Sequence, residues 1–318
     1  MSFSVEIKEE ITKIKATKTE YIAELSAFLR NNAYIDEEII RIYTENASIA
    51  RRIFKIIKDT YDVNSKIIVR KNFNFKKNLI YIIEIKNKRD IILKDLSIIN
   101  EEGYFINIPR EYILSDDEEK RAYLRGCFLS RGSINNPKTS RYHMELLIDD
   151  YEYALFINDL INEYNLNCRI IKRTKGYMIY IKEAEKISDF LRLIQAFNGV
   201  LYFENVRIYR EQKNITNRLN NCEQANVEKT INTAIKQIED INFIDEKVGL
   251  DMLDEKLKEV ALYRIKHPES SLLELSDIIT SENEKYMTKS CLNHRFRKIK
   301  NIASEIRERM EEINNQKK

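Results

Sequence analysis

Apolar residues recur along this chain at two spacings, one typical of helices and one typical of half-buried strands. Phe3, Ile7, Ile11 and Ile14 lie four, four and three residues apart, and this spacing predicts an opening helix. The segment 142–148 follows a period of two, which predicts a strand with one buried face.

The order of the predicted elements occurs twice. Each succession is helix, strand or hairpin, helix, strand, strand and helix, and Tyr61–Ile68 lies over Tyr164–Ile171. In the first succession the second helix is predicted near 47–60, the last strand near 79–85 and the last helix near 90–99. In the second succession the same elements are predicted near 151–163, 177–181 and 184–196. We therefore predict a duplicated α+β unit, with repeats of about 15–100 and 114–200. Packed about a pseudo-twofold axis, the two repeats would share one continuous core.

A helix motif is common to the starts of both repeats. Phe28-Leu29 aligns with Phe128-Leu129, and Ser26 aligns with Gly126. Small residues at this position allow two helices to approach closely, so the motif helices are expected to pack as a pair. Thr17 with Glu20, and Ser115 with Glu118, match the capping box that begins a helix.

The composition changes between residues 207 and 226, where asparagine and arginine accumulate and apolar residues become sparse. This change predicts a linker between a domain of residues 1–206 and a domain of residues 227–318. The second domain has helical apolar patterns at 231–238, at 253–261, at 272–279 and at 292–303. Its last three helices match the arrangement of a helix-turn-helix domain, with a turn at 280–288.

Charge is sorted within this domain. Residues 271–284 contain four acids and no base, whereas residues 285–300, Lys285 among them, contain six bases and no acid. Basic recognition helices need such a bias, because attraction to phosphate supplies most of the sequence-independent affinity for DNA. The simpler alternative is a solvated basic face on a helical bundle.

Helical geometry divides the predicted DNA-binding residues into two groups. With Leu292, Phe296 and Ile299 facing the core, side chains near the start of the helix are placed to reach base edges. The base-reading candidates are Ser290, Asn293, His294 and Arg297. The phosphate-binding candidates are Lys289, Arg295, Lys298 and Lys300.

Composition excludes several other classes. The formal net charge is only +3, and the four cysteines are scattered without a CxxC pair, as expected for reduced thiols in a cytosolic protein. The N-terminus lacks the apolar segment of a signal peptide, and no apolar stretch approaches the roughly 20 residues of a membrane span. The three histidines have no zinc-ligand spacing, and phosphate-loop and nucleophile motifs are absent. We expect no catalytic residue, metal or cofactor.

The paired motif helices resemble the LAGLIDADG helices of homing endonucleases, in which an acidic residue just before the final glycine holds a divalent cation. Asn31 and Arg131 occupy that position here. A guanidinium cannot ligate a cation, so we expect a nuclease scaffold without nuclease activity. The rival, an active nuclease, would need a carboxylate at one of these positions, and Glu24 lies at the wrong end of its helix.

The combination of features resembles the WhiA family over almost the whole chain. The most specific stretches are Tyr123–Leu129 with Gly132-Ser133, Asn217–Asn226, and Ser290–Lys298. The resemblance implies an α+β fold, in which a duplicated LAGLIDADG-like αββαββ pseudo-dimer is followed by an all-α helix-turn-helix domain. The turn at 281–286 is less compact than the family pattern, which leaves its geometry open.

The same resemblance implies a cytoplasmic, nucleoid-associated protein that binds specific sequences of double-stranded DNA. Its role would be transcription regulation in cell division and chromosome segregation, with sporulation in some lineages. The duplicated domain would then be a scaffold or interaction surface. The alternative is an adaptor whose helix-turn-helix domain contacts a sigma factor or a division protein. The operator and the oligomeric state stay open.

Two groups of residues keep two interpretations each. Arg131 could touch phosphate, although a solvated residue at a helix end is the preferred interpretation. The linker asparagines and Arg218 could contact DNA or hold the two domains together, and hydrogen bonds between the domains are preferred. These asparagines are Asn214, Asn217, Asn220, Asn221 and Asn226.

Overall fold

The computed structural model describes residues 2–71, 79–139, 141–283 and 286–316, and the side chains up to residue 312. The chain divides into two compact units, Met1–Glu211 and Gln212–Lys318. Unit 1 contains two small antiparallel sheets with helices, and unit 2 is helical. Among the described residues, no helix has the length and apolar character needed to cross a membrane.

The first repeat follows an opening helix and alternates helices with pairs of strands. Its sheet has the strand order β1-β2-β4-β3, and all pairs are antiparallel. The elements are α1 (Phe3–Ile11), α2 (Lys18–Asn32), β1 (Ala33–Ile35), β2 (Ile40–Thr44), α3 (Ala47–Tyr61), β3 (Lys66–Lys71), β4 (Leu79–Ile85) and α4 (Arg89–Asp95).

The second repeat reproduces this order of elements. Its sheet has the equivalent strand order β5-β6-β8-β7. The elements are α5 (Asp117–Arg131), β5 (Gly132–Ile134), β6 (Met144–Ile148), α6 (Tyr151–Asn162), β7 (Arg169–Lys172), β8 (Tyr177–Ile181) and α7 (Ala184–Leu193). The predicted α+β fold with a duplicated αββαββ unit is therefore confirmed.

Residues 197–316 are almost entirely helical. The elements are α8 (Phe197–Val248), α9 (Glu255–Lys266), α10 (Leu272–Asn283) and α11 (Lys289–Gln316). The segment 207–226, predicted as a linker, lies within α8 and has mostly exposed side chains, and its role as a linker stays a prediction. Its low apolar content reflects a helix with little buried surface, since a helix satisfies its own backbone hydrogen bonds without a core. The predicted limits of the two domains remain a prediction.

One capping box is as predicted and the other is shifted. Thr17 and Glu20 form the reciprocal hydrogen bonds that begin α2. The second box uses Asp116 and Glu119 in place of Ser115 and Glu118. The shift arises because the Ser115 hydroxyl already donates to the Tyr112 carbonyl, at 3.0 Å, while Asp116 Oδ1 accepts from the Glu119 backbone N–H at 2.8 Å.

The core of unit 1 is built around the pair α2 and α5. Their apolar faces belong to one cluster of buried residues that also takes in the inner faces of both sheets. Along β6 the burial alternates, so that Met144, Leu146 and Ile148 face the helices. The predicted continuous core of two repeats is thus present.

Gly126 sets the spacing of this helix pair. A Cβ atom at Gly126 would lie 2.3 Å from the Glu24 carbonyl oxygen and 3.0 Å from Ala27 Cβ. The aligned residue Ser26 is fully buried, and its hydroxyl donates to the Leu96 carbonyl at 2.7 Å. The two small residues of the motif therefore have different roles. Gly126 allows the backbone of α2 to approach closely, and Ser26 links α2 by a hydrogen bond to the segment after α4.

A buried ion cluster crosses the same interface. Glu24 is fully buried, with Arg125 Nε donating to its Oε2 at 2.7 Å and Arg52 bound to both of its oxygens. Arg52 Nη1 also donates to the carbonyls of Thr12 and Ile14, at 3.1 Å and 2.6 Å. Burial opposes ionisation of Glu24, but the hydrogen bonds and charges of Arg52 and Arg125 outweigh it and lower the pKa of this carboxyl.

We expect Gly126→Ala to destabilise the fold. The new methyl group would overlap with the facing backbone, and overpacking of this kind costs about 1–3 kcal/mol of stability. The higher helix propensity of alanine offsets only about 1 kcal/mol of this cost. Urea denaturation should show a lower midpoint at an unchanged slope. Ser130→Ala on the same helix is the control, because the Ser130 hydroxyl donates only to carbonyls of its own helix. An unchanged midpoint for Gly126→Ala would contradict this account of the spacing.

We expect Glu24→Gln to lower the free energy of unfolding by about 3–5 kcal/mol at pH 7, because two buried guanidinium groups would lose the carboxylate that they share, and only Arg125 keeps a second one, Glu20, at 3.8 Å. The folded-state pKa of Glu24 is depressed, so its stabilisation is present above the unfolded pKa of about 4.3 and is lost as the pH falls through the folded pKa. The difference between the urea midpoints of the two proteins, measured from pH 7 to pH 3, should therefore be constant near pH 7 and become smaller as the pH falls below the unfolded pKa of about 4.3. A variant as stable as the parent at pH 7 would refute the assignment.

Candidate nucleic-acid interface

The helix-turn-helix core fixes which face of α11 is exposed. Leu292, Phe296, Ile299 and Ala303 are all buried, as predicted from their spacing of four, three and four. They belong to a second core cluster with residues of α8, α9 and α10. The remaining positions of the first turns of α11 are consequently directed away from the core.

A buried cation supports this core from beneath α11. Arg264 is 1 % exposed, and its Nη1 donates to the Ser270 carbonyl at 2.6 Å and the His267 carbonyl at 3.3 Å. Its guanidinium carbon lies 5.4 Å from the centre of the Phe296 ring. Desolvation lowers the pKa of Arg264. The side chain joins the end of α9, the start of α10 and the inner face of α11.

Helix α10 is longer than predicted. It continues to Asn283, whereas a turn was expected from residue 280. Within α10 the Thr280 hydroxyl donates to the Ser276 carbonyl, at 2.8 Å, and accepts from the Met287 backbone N–H, at 3.0 Å. Lys285, counted among the six bases, lies outside the described residues.

Seven of the eight predicted site residues are exposed on α11. The helix begins after Thr288, whose hydroxyl accepts the Cys291 backbone N–H at 3.1 Å, and its first turn contains no acid. The exposed residues are Lys289, Ser290, Asn293, His294, Arg297, Lys298 and Lys300. The structure therefore brings these side chains together at the N-terminal half of one helix, with donors for both phosphates and bases.

Arg295 differs from the other seven. It is partly buried against α9, where its Nη1 lies 3.3 Å from Glu259 Oε2 and 3.3 Å from the Lys256 carbonyl. This ion pair neutralises much of its charge within unit 2. The spacing of apolar residues placed Arg295 on the flank of the helix, but only the packing of α9 reveals the carboxylate beside it.

A cleft lies between α11 and the C-terminal part of α8. It has a volume of about 360 Å³, and Asn293, Arg297 and Lys300 line it from α11. Lys236 and Gln237 line it from α8. Neither residue is predictable from the sequence as part of the site, because nothing in their spacing indicates that α8 passes beside the start of α11.

The positions that hold a cation in LAGLIDADG nucleases have a different arrangement here. Arg131 Nε donates to the Asn31 carbonyl at 2.9 Å, and its Nη2 lies 3.3 Å from Asp149 Oδ2. Asn31 Nδ2 donates to the Ala27 carbonyl at 2.8 Å. Arg131 therefore joins the ends of the two motif helices, and 35% of its side chain is still exposed at the end of α5.

The acids near this position offer no cation site either. Glu24 is held by its two arginines, and Asp149 is exposed beside Arg131. Within the part of the chain that the structure describes, there is no group of three or more His, Cys, Asp or Glu side chains that could hold a metal ion.

Comparisons with known proteins cover both units. The model of the WhiA N-terminal LAGLIDADG-like domain matches residues 18–99, that of the WhiA LAGLIDADG-like domain matches 120–213, and that of the WhiA C-terminal HTH domain matches 216–303. Together these models match most of the chain.

Relatives match over nearly the full length. A probable cell division protein WhiA of Exiguobacterium sibiricum is 46% identical over 312 residues, with 96% of this chain and 97% of the relative covered. The protein of the same name from Staphylococcus aureus strain JH9 is 43% identical over 311 residues, covering 96% and 98%. The crystal structure of full-length DUF199/WhiA from Thermatoga maritima has a TM-score of 0.60 at 27% identity and covers 96% of this chain and 99% of that one. The chain therefore belongs to the WhiA family.

Proposed function

We propose that the protein is a sequence-specific, double-stranded-DNA-binding regulator whose recognition helix is α11. The observation that carries this proposal is the exposed face of α11, which has no acid in its first three turns and presents four unpaired cationic side chains, Lys289, Arg297, Lys298 and Lys300, within the described residues. Membership of a family with a C-terminal helix-turn-helix domain supports it.

The positions of the exposed side chains along α11 support different roles for them. Asn293 and Arg297 lie on the exposed face near the helix start, where side chains of a recognition helix reach base edges in the major groove. Lys298 and Lys300 lie farther along and suit phosphates, which fix the position of a protein on DNA without reading sequence. Arg295 is left out of this set, because Glu259 already pairs with it.

The names of the relatives support a proposal for the cellular role. The curated relatives carry the name of probable cell division proteins. We accordingly propose that this chain regulates transcription connected with cell division and chromosome segregation from a position on the nucleoid. The duplicated domain serves as a scaffold without nuclease activity, since Arg131 occupies the position at which the resemblance places a cation.

Substitutions on α11 should separate base reading from phosphate binding. If Arg297 pairs with guanine, Arg297→Ala costs about 1–3 kcal/mol on the cognate duplex and relaxes discrimination at one base pair. Lys298→Ala weakens binding to all duplexes alike and reduces the salt slope by about 1. Both effects are measured by gel-shift titration, with a duplex identified by footprinting genomic fragments and a scrambled duplex as control. The assignment of α11 fails if neither substitution changes either titration.

The scaffold proposal is tested with supercoiled plasmid. Incubated with the protein and Mg²⁺, the plasmid should remain supercoiled, because the two motif-helix ends lack the carboxylates that two-metal hydrolysis of DNA requires. A sample with EDTA is the control. Nicking or linearisation that depends on both protein and Mg²⁺ would revive the nuclease interpretation.

A further inference from the structure

The cleft between α8 and α11 opens beside the residues proposed to read bases. Asn293 and Arg297 line it from α11, and the α8 segment 233–240 forms the opposite wall. DNA that reaches these two side chains must therefore pass close to α8. Both walls belong to unit 2, so this juxtaposition is a property of that unit alone.

The charges in the cleft favour an anion. Lys236, Arg297 and Lys300 have no ion-pair partner in the described parts of the chain. Of the two carboxylates in the lining, Asp240 is paired with Arg307 at 2.8 Å, which leaves Glu239 as the opposing charge. Three cationic side chains thus converge from two helices on a space of about 360 Å³.

Gln237 adds a polar group without a partner. Its Oε1 is buried and has no hydrogen-bond partner among the described residues. The same carboxamide carries the Nε2 donor, which can donate to an anion that Lys236 and Arg297 attract.

We propose that this cleft binds a backbone phosphate of the duplex that α11 reads, so that α8 is a second DNA-contacting element. The inference rests on the proposed function and adds Lys236 and Gln237 to it. A phosphate suits the cleft better than a base, because the lysine is a point charge without the paired donors that distinguish base edges. Held at its backbone by α8, the duplex would be fixed in register against Asn293 and Arg297.

The test uses the full chain and fluorescence anisotropy titrations over a range of salt concentrations. Lys236→Ala should lower affinity about fivefold for cognate and scrambled duplexes alike, and reduce the slope of log K against log salt by about 0.9, the value for one phosphate contact. Gln237→Glu keeps the size of the side chain and adds a charge that repels phosphate. It should lower affinity by about tenfold at low salt.

Lys213→Ala is the matched control. Lys213 is exposed on the same helix, 23 residues before Lys236, which places it about 35 Å along the helix axis. Lys213→Ala removes the same charge as Lys236→Ala. The affinity of this variant should stay within about twofold of the parent's, since at 0.15 M salt the distance between the two lysines exceeds the Debye length several times.

The outcomes separate this inference from the proposed function. If both cleft variants keep the parent's melting temperature, affinity and salt slope while Lys298→Ala weakens binding, the cleft is not a phosphate site and the proposed function stands. If Lys213→Ala weakens binding as much as Lys236→Ala does, the effect is general electrostatics and the inference also fails. A parent protein that binds no duplex at low salt overturns both.

Discussion

The close contact of α2 and α5 is the constraint on which the rest of unit 1 depends. Two helices meet at a glycine with no room for a methyl group, and their interface encloses a carboxylate bound to two guanidinium groups. Both sheets pack on this pair, so an error in its spacing would displace the inner faces of two repeats at once. The ion cluster also restricts the pairing, because a buried charge without its partners is far more costly than a missing apolar contact.

The same interface keeps the motif helices paired with a guanidinium at the position where the resemblance places an acid. At the ends of the helices, Arg131 donates to the backbone carbonyl of Asn31 and faces Asp149. A guanidinium there supplies a cross-repeat bond and a positive charge without any ligand for a metal. Glu24, a carboxylate of the motif helix α2, is buried in the core, so its ionised form stabilises the fold.

Unit 2 uses buried and exposed cations for different purposes. Arg264 lies within the core, joined to two loop carbonyls and stacked near Phe296, and it holds the helices at the angles that expose the start of α11. Arg295 is bound by Glu259 on α9. Lys289, Arg297, Lys298 and Lys300, which have no ion-pair partner within the described residues, lie on one exposed face of α11, and Lys236 lines the adjoining cleft. Attraction to a polyanion has its effect at such a cluster of charge.

Sequence alone determined the periodic features of this protein, because local spacing fixes them: the duplicated succession of elements, the opening capping box at Thr17, the buried stripe of α11 and its acid-free exposed face. The helical structure of residues 207–226 within α8 was not foreseen, since a stretch of helix with mostly exposed side chains looks like a linker by composition. Only the tertiary structure decided which charged side chains have a partner. The partners of Glu24, Arg295 and Arg131 come from segments 18 to 101 residues away, and nothing in local spacing records such a distance. The same holds for Lys236 and Gln237, which lie beside α11 only because the helices of unit 2 pack as they do.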